Sequence, residues 1–125
     1  KRYEAVCLGK PSQSSGQIKL PMRCDWSNRP LQMVDFVYGK YAETHWQRLE
    51  QYPDDFKVQL TPITGRSHQL RLHMQSLGHP ILGDNLYADP LSLSMAPRLL
   101  LHACFLAFEH PHQARWMTFE CPADF

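Results

Sequence analysis

The stretch PITGRSHQLRLHMQSLGHPILGD, Pro62–Asp84, carries the strongest local pattern in the chain and decides the fold around it. Its apolar positions recur at i, i+3, i+4 and i+7, which predicts a helix of about three turns with one face on a core. That face consists of Leu70, His73, Met74 and Leu77. We expect the helix to start near Gly65 and to end at Gly78, before Pro80.

Strand-like segments lie on both sides of the predicted helix. Alternating or continuous apolar runs predict strands at residues 2–9, 44–52, 56–62, 99–109 and 116–122. Weaker strands are expected around residues 18–20 and 32–38, and a short second helix within residues 91–98. The run at 99–109 is strongly apolar, so we expect it to be central. This order predicts one α+β domain around a mostly antiparallel, mixed sheet with one or two short helices.

Composition places the chain among ordinary globular proteins. Its 125 residues, 43% of them hydrophobic and 20% charged, carry a formal net charge of +1, which is not typical of a disordered or strongly basic chain. No apolar run approaches the roughly 18 residues of a membrane span, and the opening KRYEAV does not have the pattern of a signal peptide, so we expect neither. The four cysteines form no CxxC pair, which favours buried free thiols in a reducing, cytoplasmic compartment over a zinc site.

Two arginines of the opening stretch are candidates for binding an anion. Arg66 lies at the positive end of the helix dipole, where a cation is unfavourable unless an anion compensates. An RNA phosphate would serve, and so would an acidic side chain from a neighbouring loop. Arg71 is placed to run along the edge of the packed face with its guanidinium in a cleft; a solvated arginine or a surface ion pair is the alternative. We expect His73, on the apolar face, to be a hydrogen-bonded core histidine.

The order of the residues also resembles a known family. Residues 62–88, PITGRSHQLRLHMQSLGHPILGDNLYA, are similar to P-x-T-G-R-x-H-Q-[IL]-R-x-H-x-x-x-x-G-x-P-[IL]-x-G-D-x-x-Y, a signature of the RluA family of RNA pseudouridine synthases. RLLLHACFLAFEHP, at 98–111, resembles the family's L-x-L-H-A-x-x-L-x-F-x-H-P segment, and KRYEAV, at 1–6, its K-x-Y-x-A motif. LPMRCDWSNRPLQMV, at 20–34, is similar to the ribosomal large subunit type within that family.

The resemblance implies an isomerase that converts uridine to pseudouridine in RNA with no cofactor and no metal. The target base leaves its stack, the N1 glycosidic bond breaks, the uracil turns, and C5 bonds to C1′. Arg71 matches the family arginine that pairs with a catalytic aspartate. Tyr3 matches the tyrosine whose ring stacks on the flipped uracil and whose hydroxyl could relay the C5 proton. Arg66 and His68 are expected to face RNA phosphate, and Leu101 to form part of the apolar floor under the base.

The family's catalytic aspartate lies in an H-R-L-D-x-x-T-S-G segment ahead of K-x-Y-x-A, and no aspartate here has that context. We therefore expect residues 1–125 to be the C-terminal portion of a synthase catalytic domain, inactive without its N-terminal half. The expected partners are large-subunit ribosomal RNA, with a tRNA anticodon stem-loop as a further candidate, and that N-terminal half. A second copy of the chain could also pair with an exposed sheet edge, and no membrane is expected. The alternative is a stand-alone RNA-binding module without catalysis.

Overall fold

The computed structural model describes residues 1–109 and 116–125 of the chain. Within them the chain forms eight strands, two α-helices and one 3-10 turn. The strands are β1 (Arg2–Leu8), β2 (Ser15–Lys19), β3 (Met22–Cys24), β4 (Gln32–Val34), β5 (Glu43–Gln51), β6 (Asp55–Pro62), β7 (Leu101–Glu109) and β8 (Trp116–Glu120). The helices are α1 (Gln69–Leu77) and α2 (Pro90–Ser94), and the 3-10 turn is Trp26–Asn28. The predicted elements are present, and β3 is an addition in a segment that showed no clear pattern.

Six strands form one sheet in the order β2-β5-β6-β1-β7-β8, and β3 pairs with β4 in a separate ribbon. Every strand pair in the described part of the chain is antiparallel, so the predicted α+β class is confirmed. The expectation that the apolar run at 99–109 is central is wrong. β6 and β1 occupy the middle of the sheet, and β7 is next to the edge. Apolar content reports how well a strand is covered, not its position in the sheet order.

The alternation of β6 builds the centre of the core. Phe56, Val58 and Leu60 point to one face, and each is fully buried. α1 lies over that face, where its Leu70 and Met74 join the same apolar cluster. The period of two in the strand and the period of 3.6 in the helix therefore meet at one interface, which fixes α1 against the sheet.

The start of α1 differs from the expectation. His68, the N-cap residue, has a left-handed backbone (φ 56°), so the regular helix begins at Gln69 rather than near Gly65. Residues 65–68 instead form a turn that separates the end of β6 from α1. In the part of the chain that the structure describes, no helix is long and apolar enough to cross a membrane.

The end of α1 is where the sequence predicts it. Gly78 adopts φ 95°, and its N–H donates to the carbonyl of Gln75 (3.0 Å), which closes the last turn. Leu77 is 38% exposed, so the expectation that it packs on the core is wrong. It is the last helical residue, and the neighbouring helix face contributes Leu72 to a second buried cluster instead.

Gly83 lets the chain pass close to the segment that enters β7. Its φ of 74° is in the left-handed region, and a Cβ there would lie 1.9 Å from the carbonyl oxygen of Arg98. Any side chain at this position would therefore displace the backbone that carries Asp84. This close packing matters because the next residue, Asp84, belongs to the functional site.

The four cysteines are free thiols in different environments. Cys7 lies in β1 and is fully buried, and burial raises the pKa of its thiol. Cys24 and Cys104 are half-buried, whereas Cys121, just after β8, is exposed. The expectation of burial is therefore wrong for Cys121, because the strand ends one residue before it.

Candidate functional site

A pocket of about 350 Å³ lies where the turn before α1 meets β1 and β7. Its lining includes all the residues that the sequence singled out: Tyr3, Arg66, His68, Arg71 and Leu101. Tyr3 comes from β1 and Leu101 from β7, while the others come from the turn and the first turn of α1. The fold thus brings together residues from distant parts of the chain, although their chemical roles remain predictions.

Gln69 holds the turn that leads into α1. Its buried side chain donates from Nε2 to the carbonyl of Glu43 (2.9 Å) and to Oγ1 of Thr44 (3.0 Å). Its Oε1 accepts from Oγ1 of Thr64 (2.7 Å) and from the backbone N–H of Arg66 (3.1 Å). One amide therefore ties the turn to β5, and the pocket-lining side chains start from a fixed backbone.

His73 anchors α1 to the neighbouring strands. Its Nε2 lies 3.0 Å from the carbonyl oxygen of Leu20, which can only accept, so Nε2 carries the proton. Its Nδ1 then accepts from Oγ1 of Thr44 (2.8 Å). Burial lowers the pKa of this fully buried imidazole, which favours the neutral form. The prediction of a hydrogen-bonded core histidine is confirmed.

Arg71 forms a buried, two-pronged ion pair with Asp84, 13 residues further along the chain. Its Nε donates to Oδ2 (2.9 Å) and its Nη2 to Oδ1 (2.7 Å). The Arg71 side chain is 15% exposed and that of Asp84 is fully buried. From the sequence we expected an acid outside this chain or a surface ion pair. The structure shows a partner within the chain and a pair that is shielded from water.

The carboxylate of Asp84 is fully occupied. Besides the two donors of Arg71, its Oδ1 accepts from the backbone N–H groups of Leu86 (2.9 Å) and Tyr87 (3.1 Å). Burial acts to raise the pKa of Asp84, but the hydrogen bonds from Arg71 and from these two N–H groups outweigh it and hold the pKa below its usual value. Asp84 is therefore an ionised structural anion and is closed to direct reaction with a substrate.

Arg71 keeps one edge open. Asp84 occupies Nε and one N–H of Nη2, and within the described residues no hydrogen bond is formed by Nη1. No buried side-chain nitrogen or oxygen in that part of the chain lacks a partner, so Nη1 reaches solvent. Since Arg71 lines the pocket, this open edge offers a pair of parallel N–H groups that fit a second carboxylate or a phosphate.

Tyr87 links the ion pair to His68. The Oη of Tyr87 accepts from the backbone N–H of Gln32 (2.9 Å), which leaves its own proton free for Nδ1 of His68 at 2.7 Å. Burial, and then the charge of Arg71, lower the pKa of His68, so the neutral imidazole is favoured. A neutral His68 that accepts at Nδ1 carries its proton at Nε2, for which no described residue supplies an acceptor.

Arg66 is an exposed cation of the pocket, whose lining also includes the exposed Lys1. Its Nε donates to the carbonyl oxygen of Tyr41 (3.1 Å). Among the described residues no carboxylate lies within ion-pair distance of it, so the alternative of an acidic partner from a neighbouring loop finds no support in that part of the chain. The remaining guanidinium donors are available to an anion at the mouth of the pocket.

Tyr3 and Leu101 supply an apolar side of the pocket. Tyr3 pairs with Leu60 of β6 and with Ala103 of β7, so it is flanked by strands on both sides. Tyr3 and Leu101 are both half-buried and pack against the main apolar cluster. A ring and a branched chain mounted on rigid strands are suited to contact the flat face of a base.

Three residues of the site were not singled out from the sequence: Gln69, Asp84 and Tyr87. All three are fixed letters of the signature in residues 62–88, which was a signal of some role. Their partners lie elsewhere in the chain, and neither helical nor strand periodicity encodes those contacts.

A second cavity, of about 360 Å³, opens on the outer face of β2, β5 and β6. No arginine or lysine lines it, and none of the predicted site residues does. Of these two cavities in the described part of the chain, the pocket beside α1 is therefore the one whose lining can bind an anion. In residues 1–109 and 116–125 no three His, Cys, Asp or Glu side chains come together as metal ligands.

Comparison with known proteins shows which family the chain resembles in sequence and in fold. A family model described as RNA pseudouridylate synthase matches residues 1–76. The Dual-specificity RNA pseudouridine synthase RluA of Pasteurella multocida (strain Pm70) is 51% identical over 126 residues, and that of Escherichia coli (strain K12) is 53% identical. Each match covers 100% of this chain and 58% of the relative, so the chain spans a little over half the length of these relatives.

Two solved human structures share the fold. Human RNA Pseudouridylate Synthase Domain Containing 1 superposes with a TM-score of 0.86 at 30% identity, covering 100% of this chain and 55% of that one. Human RNA Pseudouridylate Synthase Domain Containing 4 gives a TM-score of 0.72 at 25% identity, over 98% of this chain and 57% of that one. The whole described fold therefore corresponds to part of a pseudouridylate synthase structure.

Proposed function

The chain belongs to the RNA pseudouridylate synthase family, and we propose that the protein containing it isomerises uridine to pseudouridine in RNA. The observation that carries this proposal is the pocket beside α1. The five residues that the sequence predicted for the site, drawn from β1, α1 and its preceding turn, and β7, line that one pocket. Its volume of about 350 Å³ is enough for a flipped base.

Each pocket residue has a proposed role that fits the chemistry of its side chain. The ring of Tyr3 stacks on the uracil and Leu101 lies under it, so the base exchanges its neighbours in the RNA stack for apolar surface. Arg66, with the Nε2–H of His68, binds the phosphates beside the target nucleotide. We propose that the hydroxyl of Tyr3 carries the C5 proton late in the reaction.

Arg71 orients the acid that starts the reaction. Its open edge binds the catalytic aspartate of the family, keeps that carboxylate ionised and aims it at C1′ or at the sugar proton. Asp84 is buried and saturated with donors, so it is not that acid. We propose that the acid is brought by a segment outside these 125 residues, as the signature implies. No step requires a metal or a cofactor.

The substrate proposal follows the relatives, which are named dual-specificity enzymes. We propose large-subunit ribosomal RNA as the main substrate and a tRNA anticodon stem-loop as the second. Recognition would rest on loop shape and on the extruded base, since a protein reads single-stranded RNA more easily than a closed helix.

Tritium release from RNA labelled at C5 of uridine tests the proposal. We expect the full gene product to release tritium from a transcript of large-subunit ribosomal RNA, and the 125-residue chain alone to release none. Mixing the chain with the remainder of the gene product should restore part of the activity if the halves reassociate. Release by the chain alone would contradict the placement of the acid, and binding without release by the gene product would favour the stand-alone RNA-binding module.

The open sheet also supports a proposal about assembly. β2 and β8 are the outer strands of the six-stranded sheet, and each has one neighbour in the described structure. We propose that the 125-residue chain by itself pairs edge to edge with a second copy, whereas the gene product does not. Size-exclusion chromatography across a range of concentrations should show association of the chain alone and a constant elution volume for the gene product.

A further inference from the structure

We propose that Asp84 is a positioning residue for the reaction, which acts by holding Arg71 so that its open edge faces the catalytic acid. The inference rests on the proposed function and adds a second carboxylate to it, one that touches neither substrate nor acid. Its basis is the geometry of the buried pair and not the family signature.

The first support is the way in which Asp84 grips Arg71. A guanidinium has two edges that can each meet a carboxylate with a pair of parallel N–H groups. Asp84 occupies the edge formed by Nε and Nη2, at 2.9 and 2.7 Å. The edge formed by Nη1 and the second N–H of Nη2 is left for another anion. One arginine therefore serves two carboxylates, and the position of the first determines the direction offered to the second.

The second support is that Asp84 is itself held by several contacts. Its Oδ1 accepts two backbone N–H groups, from Leu86 and Tyr87, and the side chain is fully buried. The backbone at Gly83, just before it, packs so closely on the segment that enters β7 that a Cβ there would lie 1.9 Å from the carbonyl oxygen of Arg98. The Tyr87 ring also lies 5.3 Å from the guanidinium carbon of Arg71, which limits its rotation.

The third support is the conformational entropy that an arginine without this partner would lose when it binds the acid. A long arginine side chain facing an open pocket would otherwise sample many rotamers, and each encounter with the acid would have to select the reactive one. Holding the guanidinium in advance removes that loss from the reaction step. Because Asp84 holds the guanidinium before the acid binds, the fold itself sets the orientation of the catalytic acid.

The test compares Asp84→Asn with Asp35→Asn in the full gene product. Asp35 is the matched control because its Oδ1 accepts two backbone N–H groups and its Oδ2 accepts Nε of Arg23 at 2.6 Å, outside the pocket. In both variants Oδ1 can still accept the backbone N–H groups, while an amide nitrogen now faces the arginine. The substrate is a C5-tritiated transcript of large-subunit ribosomal RNA.

We expect Asp84→Asn to lower kcat by about 100-fold with little change in KM, as a misaligned reactive group does. Asp35→Asn should leave kcat unchanged. In the background of Arg71→Lys, which has already lost the two-pronged grip, Asp84→Asn should cause no further loss of kcat, because the two residues act as one unit. An unchanged kcat in Asp84→Asn, or losses that multiply in the double variant, would overturn the inference.

A second measurement applies if Asp84→Asn does not fold. In the unmodified gene product, the Nε–H of Arg71 should exchange with solvent more slowly than the Nε–H of Arg23, as measured by nitrogen-15 NMR. Equal exchange rates would show that Asp84 does not hold the guanidinium. Absence of tritium release from the unmodified gene product would remove the proposed function and the acid with it, whereas an unchanged kcat in the variant removes this inference alone.

Discussion

Two turns of this chain have the same construction and different surroundings. In one, Asp84 accepts the N–H groups two and three residues ahead and binds Arg71. In the other, Asp35 accepts the N–H groups two and three residues ahead and binds Arg23. Each turn ends in a tyrosine, Tyr87 in the first and Tyr38 in the second.

Burial separates the two turns. Asp84 is fully buried and takes two donors from Arg71, whereas Asp35 is 14% exposed and takes one donor from Arg23. Tyr87 is 5% exposed and hydrogen-bonded at its hydroxyl, while Tyr38 is 79% exposed.

The difference shows how one local motif yields either a surface turn or part of a binding site. The motif itself only needs an aspartate and two N–H groups. The Asp84 turn lies against α1, beside the pocket, and therefore holds Arg71 as a fixed donor.

The largest effect is expected for the loss of the carboxylates. Asp84→Ala leaves Arg71 and two N–H groups without their buried partner, so we expect the free energy of unfolding to fall by about 3–5 kcal/mol. Asp35→Ala should cost clearly less, because the Asp35 side chain is 14% exposed and its partner Arg23 is 36% exposed, so water can reach the groups that lose the carboxylate. Urea unfolding of the two variants of the gene product measures this, and equal losses would show that burial does not distinguish the turns.

A smaller effect is expected at the tyrosine hydroxyls. Tyr87→Phe removes the acceptor of the Gln32 N–H and the partner of His68, and should lower the free energy of unfolding by about 1–3 kcal/mol. Tyr38→Phe serves as the control and should change it by less than about 0.5 kcal/mol, as for an ordinary surface position. Thermal unfolding of both variants measures these changes. If Tyr87→Phe left the free energy of unfolding unchanged, the two hydrogen bonds of the Tyr87 hydroxyl would contribute nothing to stability.

Acid should remove the contributions of both carboxylates. Hydrogen bonding from Arg23, and then from two backbone N–H groups, lowers the pKa of Asp35 to about 2, and the pKa of Asp84 is also lowered. A carboxylate whose pKa is lower in the folded than in the unfolded chain stabilises the fold above the unfolded value of about 3.9. That stability is lost as the pH falls through the folded pKa.

Unfolding measured between pH 5 and pH 2, in steps of about one unit, should therefore show a shallower fall in stability for Asp84→Asn and for Asp35→Asn than for the unmodified protein. Between about pH 7 and pH 5 neither substitution should alter the slope, since both carboxylates stay ionised in both states. A change of slope in that upper range would contradict the assignment.

The smallest effect is expected on the affinity for RNA when Arg66 is replaced. Arg66→Ala should weaken binding of RNA stem-loops of different sequence to a similar extent and reduce the dependence of log K on log salt by about one ion. Arg23→Ala, outside the pocket, should leave that dependence unchanged. Titrations at several salt concentrations compare the two. Loss of binding by Arg23→Ala alone would move the RNA interface away from the pocket.

Local patterns in the sequence accounted for local structure. The period of 3.6 in residues 70–77 and the alternation in residues 56–60 each report which face of one element is buried, so they predicted α1 and β6 well. They could not predict that Leu77 is exposed, because that depends on where α1 leaves the sheet. The position of β7 in the sheet depends in the same way on pairing between distant segments.

The site was predictable only in part for the same reason. The family motifs pointed to five residues that line the pocket, since each motif records residue types at fixed spacings. They did not show that Arg71 and Asp84 meet, because their contact requires the turn after α1 to fold back over the first turn of the helix. The left-handed His68 was also unexpected, since a non-glycine residue seldom adopts that backbone.

An experimental structure of the full gene product gives the most direct test of the central claim. The claim is that Arg71 binds the buried carboxylate of Asp84 and the carboxylate of the catalytic aspartate at the same time. We predict that Arg71 contacts two carboxylates at once: Asp84 at Nε and Nη2, and a catalytic aspartate at Nη1 beside Tyr3. A structure in which Arg71 has left Asp84 for the other acid, or in which no acid lies at its open edge, would contradict the account.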